Sequence, residues 1–325
     1  MKKLLIAYWI VLFLFLESYL FAPDQSYYLQ LLSYGTDSDI EKAFSQVKND
    51  LGNAVNKKVL GVFSEEHAEK VYLSIIFYIG RVDLKEANDV LLQELDRNTG
   101  SEDYRETVIR TLGQLKEPRS LPMLTGMLGE PRNSIRVRKA LLDSIGDIGE
   151  KESEDALLGI AKDAHEDVEV RAHAILSIGK VKSEKSVPFL RDILHNVYEE
   201  KILRMYAASS LSLIGGSASL EALSAVIGDE THEVAEYAVN GIAQMKTKEG
   251  GELLLRALRS DNDKVRYYAA AGLGEIGYTA AADALRFRAA YDTNDLVRKE
   301  AKKSLEKMGI DREERGIGGD GSGTM

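Results

Sequence analysis

Arginine recurs along this chain at an almost constant spacing. Six residues define the series: Arg105, Arg138, Arg171, Arg204, Arg266 and Arg298. The first three intervals are 33 residues each, and the hydrophobic pattern places a missing member at Ala235, which makes the last three intervals 31, 31 and 32. A fixed period of this length predicts stacked supersecondary units, because so short a unit cannot bury an apolar face alone.

Each unit is predicted to contain two helices. Counted from the arginine, positions −1, +3, +7 and +10 are apolar or small in nearly every copy, which is the spacing of one stripe on an α-helix. Glycine at +11 is expected to end the first helix in a left-handed conformation. It occurs in four copies, at Gly149, Gly215, Gly277 and Gly309.

A second apolar stripe follows the first in each unit. Two copies that lie two periods apart fill it with Leu121, Leu124, Met127, Leu128 and with Val187, Leu190, Ile193, Leu194. Pro122 and Pro188 fall in its first turn, where a missing N–H is tolerated. The sequence therefore predicts an all-α fold, an α-solenoid of about seven to eight two-helix repeats.

The pattern Val-Arg-x-x-Ala-x-x-x-Leu-Gly-x-Ile-Gly, seen best at residues 265–277, resembles the HEAT-like repeat family in the short form also found in phycobilisome lyase subunits. The resemblance covers residues 65–310, and it places an earlier copy at 69–80 with Glu69 in the arginine position. It implies that the second helices line the concave face of the stack.

The remaining segments are expected to differ from the repeats. Residues 23–64 are predicted to form an N-terminal helical cap, with Ile40, Ala43, Phe44 and Val47 on one face. Residues 311–325 form a Gly-rich tail that we expect to be disordered.

Residues 1–22 have the composition of a targeting segment. Lys2 and Lys3 precede the apolar run 4–16, which is typical of a signal peptide. The alternative is an uncleaved membrane anchor over residues 4–22. In both cases the basic residues stay in the cytoplasm, so the body is predicted to be extracytoplasmic, most simply periplasmic.

Composition excludes several classes of function. The formal net charge is −10 and the basic residues are interspersed with acids, so we expect no nucleic-acid binding. The chain has no cysteine, which excludes disulfides, thiolate metal sites, cysteine nucleophiles and a lipid-modified N-terminal cysteine.

The arginine series has two interpretations. Asp167, Asp263 and Asp295 lie three or four residues before an arginine, where an acid caps a helix. The family resemblance implies that acids and arginines of adjacent units pair in a structural ladder. The alternative is an anion-binding row of arginines, and we favour the ladder because the position is fixed within the folding unit.

Two motifs suggest chemistry but lack its context. Gly272, Gly274 and Gly277 match G-x-G-x-x-G, yet they lie at the end of a predicted helix without the preceding strand that a dinucleotide site needs. His165-Glu166 and His232-Glu233 are similar to the His-Glu pairs of deoxyhypusine hydroxylase, a di-iron enzyme that uses four of them. They fall at different phases of the repeat, so we predict neither a metal nor another cofactor.

Two columns of residues are candidates for binding a partner. The first lies two residues after the arginine position: His173, Tyr206, Tyr237 and Tyr268. Such aromatics can pack between repeats or anchor a partner. The second follows the first apolar position of the second helices, interrupted by Pro188: Asp155, Glu221, Glu252 and Asp283. These acids can offset a helix dipole or form a groove for a basic partner.

The sequence therefore predicts an exported, non-enzymatic scaffold that binds another protein. The reason is that the chain contains a full array of repeats but no set of residues expected to converge on one catalytic site. The alternative is an enzyme or a chromophore-handling protein related to the phycobilisome lyase subunits or to deoxyhypusine hydroxylase.

Overall fold

A computed structural model describes residues 24–97, 99–130 and 133–310. Within these residues the chain forms eighteen α-helices joined by short loops and 3₁₀ turns, and no strand. Contacts divide the chain between Ser120 and Leu121 into two compact units. The all-α repeat architecture that the sequence predicts is confirmed.

The first unit begins with three helices that precede the repeats. They are α1 (Gln25–Tyr34), α2 (Asp37–Gln46) and α3 (Asn53–Gly61). Ile40, Phe44 and Val47 are buried, as their spacing predicts. Three repeat helices follow: α4 (Glu69–Arg81), α5 (Asn88–Arg97) and α6 (Glu102–Gln114). Helix α4 packs against α2 and α6, while α5 packs against α6.

The second unit begins with α7 (Leu121–Leu128), which is the second helix of a repeat. Six first helices and five more second helices follow it. The first helices are α8 (Ile135–Ile148), α10 (Val168–Val181), α12 (Lys201–Ile214), α14 (His232–Met245), α16 (Asp263–Ile276) and α18 (Asp295–Lys307). The second helices are α9 (Glu154–Lys162), α11 (Val187–His195), α13 (Gly216–Ser224), α15 (Lys248–Ala257) and α17 (Ala282–Tyr291). Each first helix packs along the next, and second helices pack on the first helix that follows.

The arginine position is the fourth residue of every first helix in the second unit. The same rule in the first unit selects Arg105 in α6 and Tyr72 in α4. Our placement of Glu69 in this position was therefore wrong by three residues, since Glu69 begins its helix. The error arose because the pattern was anchored on charge, whereas Tyr72 keeps the interval of 33 to Arg105.

Position +11 adopts a left-handed backbone in all repeats of the described chain. Glycine holds it where predicted, as at Gly149 with φ of 78°. Non-glycine residues hold it in four other repeats: Asp83, Lys116, Lys182 and Lys246, with φ between 53° and 56°. A left-handed residue at this point is thus a property of the repeat rather than of glycine.

Neighbouring first helices approach closely through pairs of small residues. A Cβ added at Gly179 would lie 2.5 Å from the backbone of Ser210 in the next first helix. The Ser210 hydroxyl donates to the Ile175 carbonyl at 2.8 Å. In the two following interfaces the glycine lies on the other partner, where Gly241 meets Ser212 and Gly272 meets Ala243. Small size is therefore required of the pair, and either member can supply it.

Helix caps agree only partly with the sequence prediction. Asp167 caps α10 by accepting from the backbone N–H groups of Glu169 and Val170. Asp263 and Asp295 do not cap their helices, because they are the first helical residues and the caps are Asn262 and Asn294. An acid in the first turn still favours the positive end of the helix dipole.

Two predicted segments, the targeting segment 1–22 and the tail 311–325, lie outside the described residues. Among the residues that are described, none of the helices combines the length and the apolar character needed to cross a membrane.

Candidate functional site

The arginine of α16 is a buried junction between two loops. Arg266 donates from Nε and Nη2 to the two carboxylate oxygens of Asp292, both at 2.9 Å. Its Nη1 donates to the carbonyls of Ser260 and Asp261 at 3.0 and 2.9 Å. The arginine therefore joins the end of the preceding second helix to the loop of the next repeat.

The same arrangement recurs in the preceding repeats. Arg204 donates from Nε to the Leu194 carbonyl at 2.9 Å and pairs with Asp229. Arg171 donates to the Ala161 carbonyl at 3.2 Å and lies 3.5 Å from Glu199. Carbonyls at the end of a helix lack intrahelical partners, so a guanidinium there satisfies them.

The remaining members of the series vary. Arg138 pairs with Glu166, with one contact at 2.7 Å. Arg298 pairs with Asp295 in its own helix and donates to the Asp292 carbonyl. Arg105 is half-buried in the first unit.

Sequence reasoning missed the acids that these arginines contact. They lie five or six residues before the next arginine position: Glu166, Glu199, Asp229 and Asp292. The sequence does contain a signal for them, an acid that recurs five or six residues before the arginine position. The helix-capping argument instead selects acids three or four residues before it. In the second unit each arginine of the series contacts a carboxylate of the protein, which disfavours an open anion-binding row.

Two of the partner carboxylates, Asp229 and Asp292, have a lowered pKa. Burial alone would raise the pKa of Asp292, but the Arg266 guanidinium and the Asn294 backbone N–H leave that pKa below its usual value. Burial likewise opposes the lowered pKa of Asp229, which hydrogen bonds from Arg204 and the Thr231 backbone hold down. Each carboxylate is thus stabilised by a guanidinium and a loop amide together.

The aromatic column lies half-buried on the flank of the first helices. His173 Nδ1 is 2.8 Å from Asp143 of the preceding first helix, and its ring meets Tyr206 edge-on at 6.4 Å. Tyr237 and Tyr268 are also half-buried, and the Tyr268 ring contacts Tyr267 at 5.4 Å. These contacts are of the kind that packs adjacent repeats together.

The acidic column is exposed on the second helices. Asp155, Glu221, Glu252 and Asp283 all have exposed side chains. Asp283 pairs with Arg286 at 2.8 Å in the same helix. The other three acids form no ion pair with any residue of the described chain.

Charges on the first helices are arranged differently. Lysines there pair with acids of the neighbouring first helix: Lys139 with Glu169, Lys180 with Asp147, Lys201 with Glu233, and Lys264 with Glu236. These charges on the flank of the first helices therefore pair with one another. Within the described chain, the second helices α9 to α17 have six exposed carboxylates and four exposed cations, and two further arginines, Arg286 and Arg288, are partly exposed.

The motifs that suggested chemistry have structural roles. Gly272 and Gly274 lie inside α16 and allow the close approach of Ala243 and Ser304 from the two neighbouring first helices. In the His-Glu pairs, Glu166 binds Arg138 and Glu233 binds Lys201. Among the described residues no group of three His, Asp or Glu side chains is placed to hold a metal ion.

Comparison with known proteins identifies the repeat. A family model of HEAT repeats matches residues 59–136, 133–212, 165–236 and 220–306, which is more than half of the chain. A search of curated proteins finds no match.

Solved structures with a similar arrangement include three natural proteins. Human deoxyhypusine hydroxylase in complex with glycerol is 20% identical, with a TM-score of 0.36 over 86% of this chain and 99% of that one. The complex of CpcE and CpcF of phycocyanin lyase from Nostoc sp. PCC7120 is 18% identical, with a TM-score of 0.45 over 68% and 93%. YibA of Escherichia coli is 16% identical, with a TM-score of 0.46 over 84% and 96%. At these values the likeness carries no information about function.

Proposed function

This chain belongs to the HEAT repeat family, and from that premise we propose that it is a non-enzymatic scaffold that binds another protein through its second helices. We name the acids Asp155, Glu221, Glu252 and Asp283 the acidic column. The partner that this column fits is an extended, basic segment that touches several repeats in turn. HEAT repeats typically mediate protein interactions, which supports this reading.

One observation carries the proposal. Three of the four acids in the acidic column are exposed without an ion pair in the described chain, whereas charges on the first helices are matched between neighbours. Unpaired charges of one sign, repeated at the spacing of the stack, give a field that attracts an oppositely charged partner. The half-buried aromatic column offers less free surface and ranks second.

The test is loss of a specific partner upon neutralising the column. Cross-linking and mass spectrometry in the native host would identify a partner of the wild-type chain. We expect the quadruple variant D155N/E221Q/E252Q/D283N to bind it more weakly by about fourfold or more, since each of the four exposed pairs contributes about 0.2–1 kcal/mol. The matched control is Tyr206→Ala with Tyr237→Ala, which changes the aromatic column.

Two outcomes would contradict this assignment. Unchanged affinity in the quadruple variant together with a loss in the tyrosine variant would move the interface to the first helices. Specific turnover of a small molecule by the purified chain would overturn the non-enzymatic scaffold.

We also propose that the chain is exported through residues 1–22. The support is the basic start and the apolar run of that segment. Fractionation of the native host should place the protein outside the cytoplasm, and sequencing of its mature N-terminus distinguishes a cleaved leader from an anchor. Recovery in the cytoplasm with Met1 retained would contradict export.

A further inference from the structure

Two successive interfaces between second helices differ at one equivalent position. Phe189 of α11 is half-buried, and Lys162 Nζ of α9 lies 5.2 Å from the centre of its ring. The residues 33 positions later, in the interface of α11 with α13, are Ala222 and His195. A methyl group thus stands at position 222, where the equivalent position of the preceding second helix carries a phenyl ring.

A cavity of about 370 Å³ occupies this place between α11 and α13. Its apolar part includes Pro188, Ala218 and Ala222, and its rim carries the carboxylates of Glu184 and Glu221. Glu221 belongs to the acidic column, and Pro188 is the residue that interrupts that column. The cavity therefore lies beside the second helix at which the acidic column is interrupted.

The charge of the rim is net negative. Arg191 also lines the cavity, but it pairs with the exposed Asp192 at 2.9 Å. His195 Nε2 lies 2.9 Å from the Ala222 carbonyl oxygen, so this nitrogen carries a hydrogen that it donates there. Glu184 and Glu221 are exposed and form no ion pair within the described residues.

We propose that this cavity is a specificity pocket for one arginine side chain of the partner. The inference rests on the proposed function and deepens it. The apolar walls accept the aliphatic stem, while the planar guanidinium occupies the cavity and pairs with Glu184 and Glu221. Lysine fits less well, because its compact ammonium is more strongly hydrated and does not bind a carboxylate in the bidentate manner.

The experiment titrates short peptides into the full chain and follows the alanine methyl NMR signals. The probe is acetyl-Ala-Arg-Ala-amide, and the comparison peptides carry lysine or phenylalanine in its place. We expect the arginine peptide to shift the methyls of Ala218 and Ala222 saturably, with weaker binding of the lysine peptide and the weakest binding of the phenylalanine peptide.

Two variants test the walls and the rim separately. Ala222→Phe introduces the side chain that the equivalent position of α11 carries, and it should abolish binding. Glu184→Gln combined with Glu221→Gln should weaken binding about twofold or more, given the contribution of exposed charge pairs. Because both glutamates are exposed, this variant stays informative even if Ala222→Phe disturbs the fold. The control is Ala284→Phe, at the equivalent position of α17, which should bind as the wild type does.

Three results would overturn the pocket. They are tighter binding of the phenylalanine peptide than of the arginine peptide, unchanged affinity in Ala222→Phe, and the absence of any methyl shift with the arginine peptide. None of these affects the partner assay of the quadruple variant, so failure of the pocket and failure of the proposed function are distinguishable.

Discussion

The first repeat of the first unit fills the fourth position of its first helix differently from the repeats of the second unit. In the second unit the fourth helical residue is most often an arginine whose guanidinium joins two inter-repeat loops, as Arg266 does with Asp292. In α4 of the first unit it is Tyr72, whose ring stacks on Phe63 at 5.7 Å and whose hydroxyl donates to the Glu65 carbonyl at 2.6 Å. A charged junction and an aromatic junction thus serve the same helical repeat.

The difference shows which features define the repeat. Both units keep a left-handed residue at +11, as at Asp83 and Gly149, and both keep small or polar residues where first helices meet. The residue type at the arginine position varies between repeats. In addition, a buried ion pair by itself is weak evidence for stability. We therefore expect the junctions to be sensitive to the loss of one partner, although the fold does not depend on one chemistry.

The largest effect is expected from removing the most buried guanidinium. Arg266→Ala leaves the Asp292 carboxylate, whose side chain is 0% exposed, without its main partner. We expect a loss of about 3–5 kcal/mol in the free energy of unfolding, the usual cost of breaking a buried pair. Urea unfolding monitored by circular dichroism measures it.

The control series ranks the arginines by exposure. Arg171→Ala, where the side chain is 14% exposed, should cost about 1–3 kcal/mol. Arg256→Ala on the exposed face of α15 should cost less than about 1 kcal/mol. Equal shifts in all three variants would show that the ladder contributes nothing.

An intermediate effect is expected from the aromatic junction of the first unit. Tyr72→Phe keeps the ring but removes two hydrogen bonds, the one that the hydroxyl donates to the Glu65 carbonyl and the one that it accepts from the His67 backbone N–H at 3.0 Å. The loss should be about 1–3 kcal/mol. The loss should be the same at low and high salt, because the hydrogen bonds that the hydroxyl makes join it to a backbone carbonyl and a backbone N–H, both uncharged. A strong salt dependence would break the contrast between the units.

Acid should weaken the second unit through its ladder. The folded-state pKa of Asp292 and of Asp229 lies below the usual value, so the unfolded state binds more protons at low pH. Their contribution is full above the unfolded pKa of about 3.9 and is lost as pH falls through the folded pKa. In Asp292→Asn the decline of stability below about pH 4 should be shallower than in the wild type, as urea midpoints across pH would show. Parallel declines would contradict the assignment.

The smallest effect concerns the residue that ends the first helix. Lys182 has a φ of 56°, and this left-handed conformation is energetically unfavourable for a non-glycine residue but not for glycine. Lys182→Gly should stabilise the chain by about 0.5–1 kcal/mol, and Gly149→Lys should destabilise it by about the same amount. Thermal unfolding of the two variants measures both signs, and the same sign in both would show that position +11 does not set the helix end.

The periodic elements could be predicted from sequence because their cause is local. The stripe at −1, +3, +7 and +10 requires only one helix, so the two-helix repeat and the buried Ala174 and Ala207 follow from spacing alone. Glu69 was placed in the arginine position instead of Tyr72 because a shared backbone position need not share a side-chain type. For the same reason, the sequence pattern did not predict the left-handed backbone at Lys116, Lys182 and Lys246.

Features that depend on two repeats could not be predicted in the same way. The acids that contact the arginines belong to the following loop, so their distance in sequence depends on the loop length, which varies between repeats. The cavity at Ala222 requires knowledge of which second helices are neighbours and of how Phe189 is placed in the adjacent interface. Exposure of the acidic column, by contrast, follows from its place beside an apolar stripe.

The most direct test of the account is the salt dependence of association with the partner. If the acidic column receives a basic segment, the association rate constant of the wild-type chain should fall steeply with ionic strength, because salt screens charges over about 10 Å at 0.1 M. The quadruple variant D155N/E221Q/E252Q/D283N should associate more slowly and with a nearly flat salt dependence, while its urea midpoint stays close to that of the wild type. An equally steep salt dependence in wild type and variant would contradict the central claim that the second helices present the binding surface.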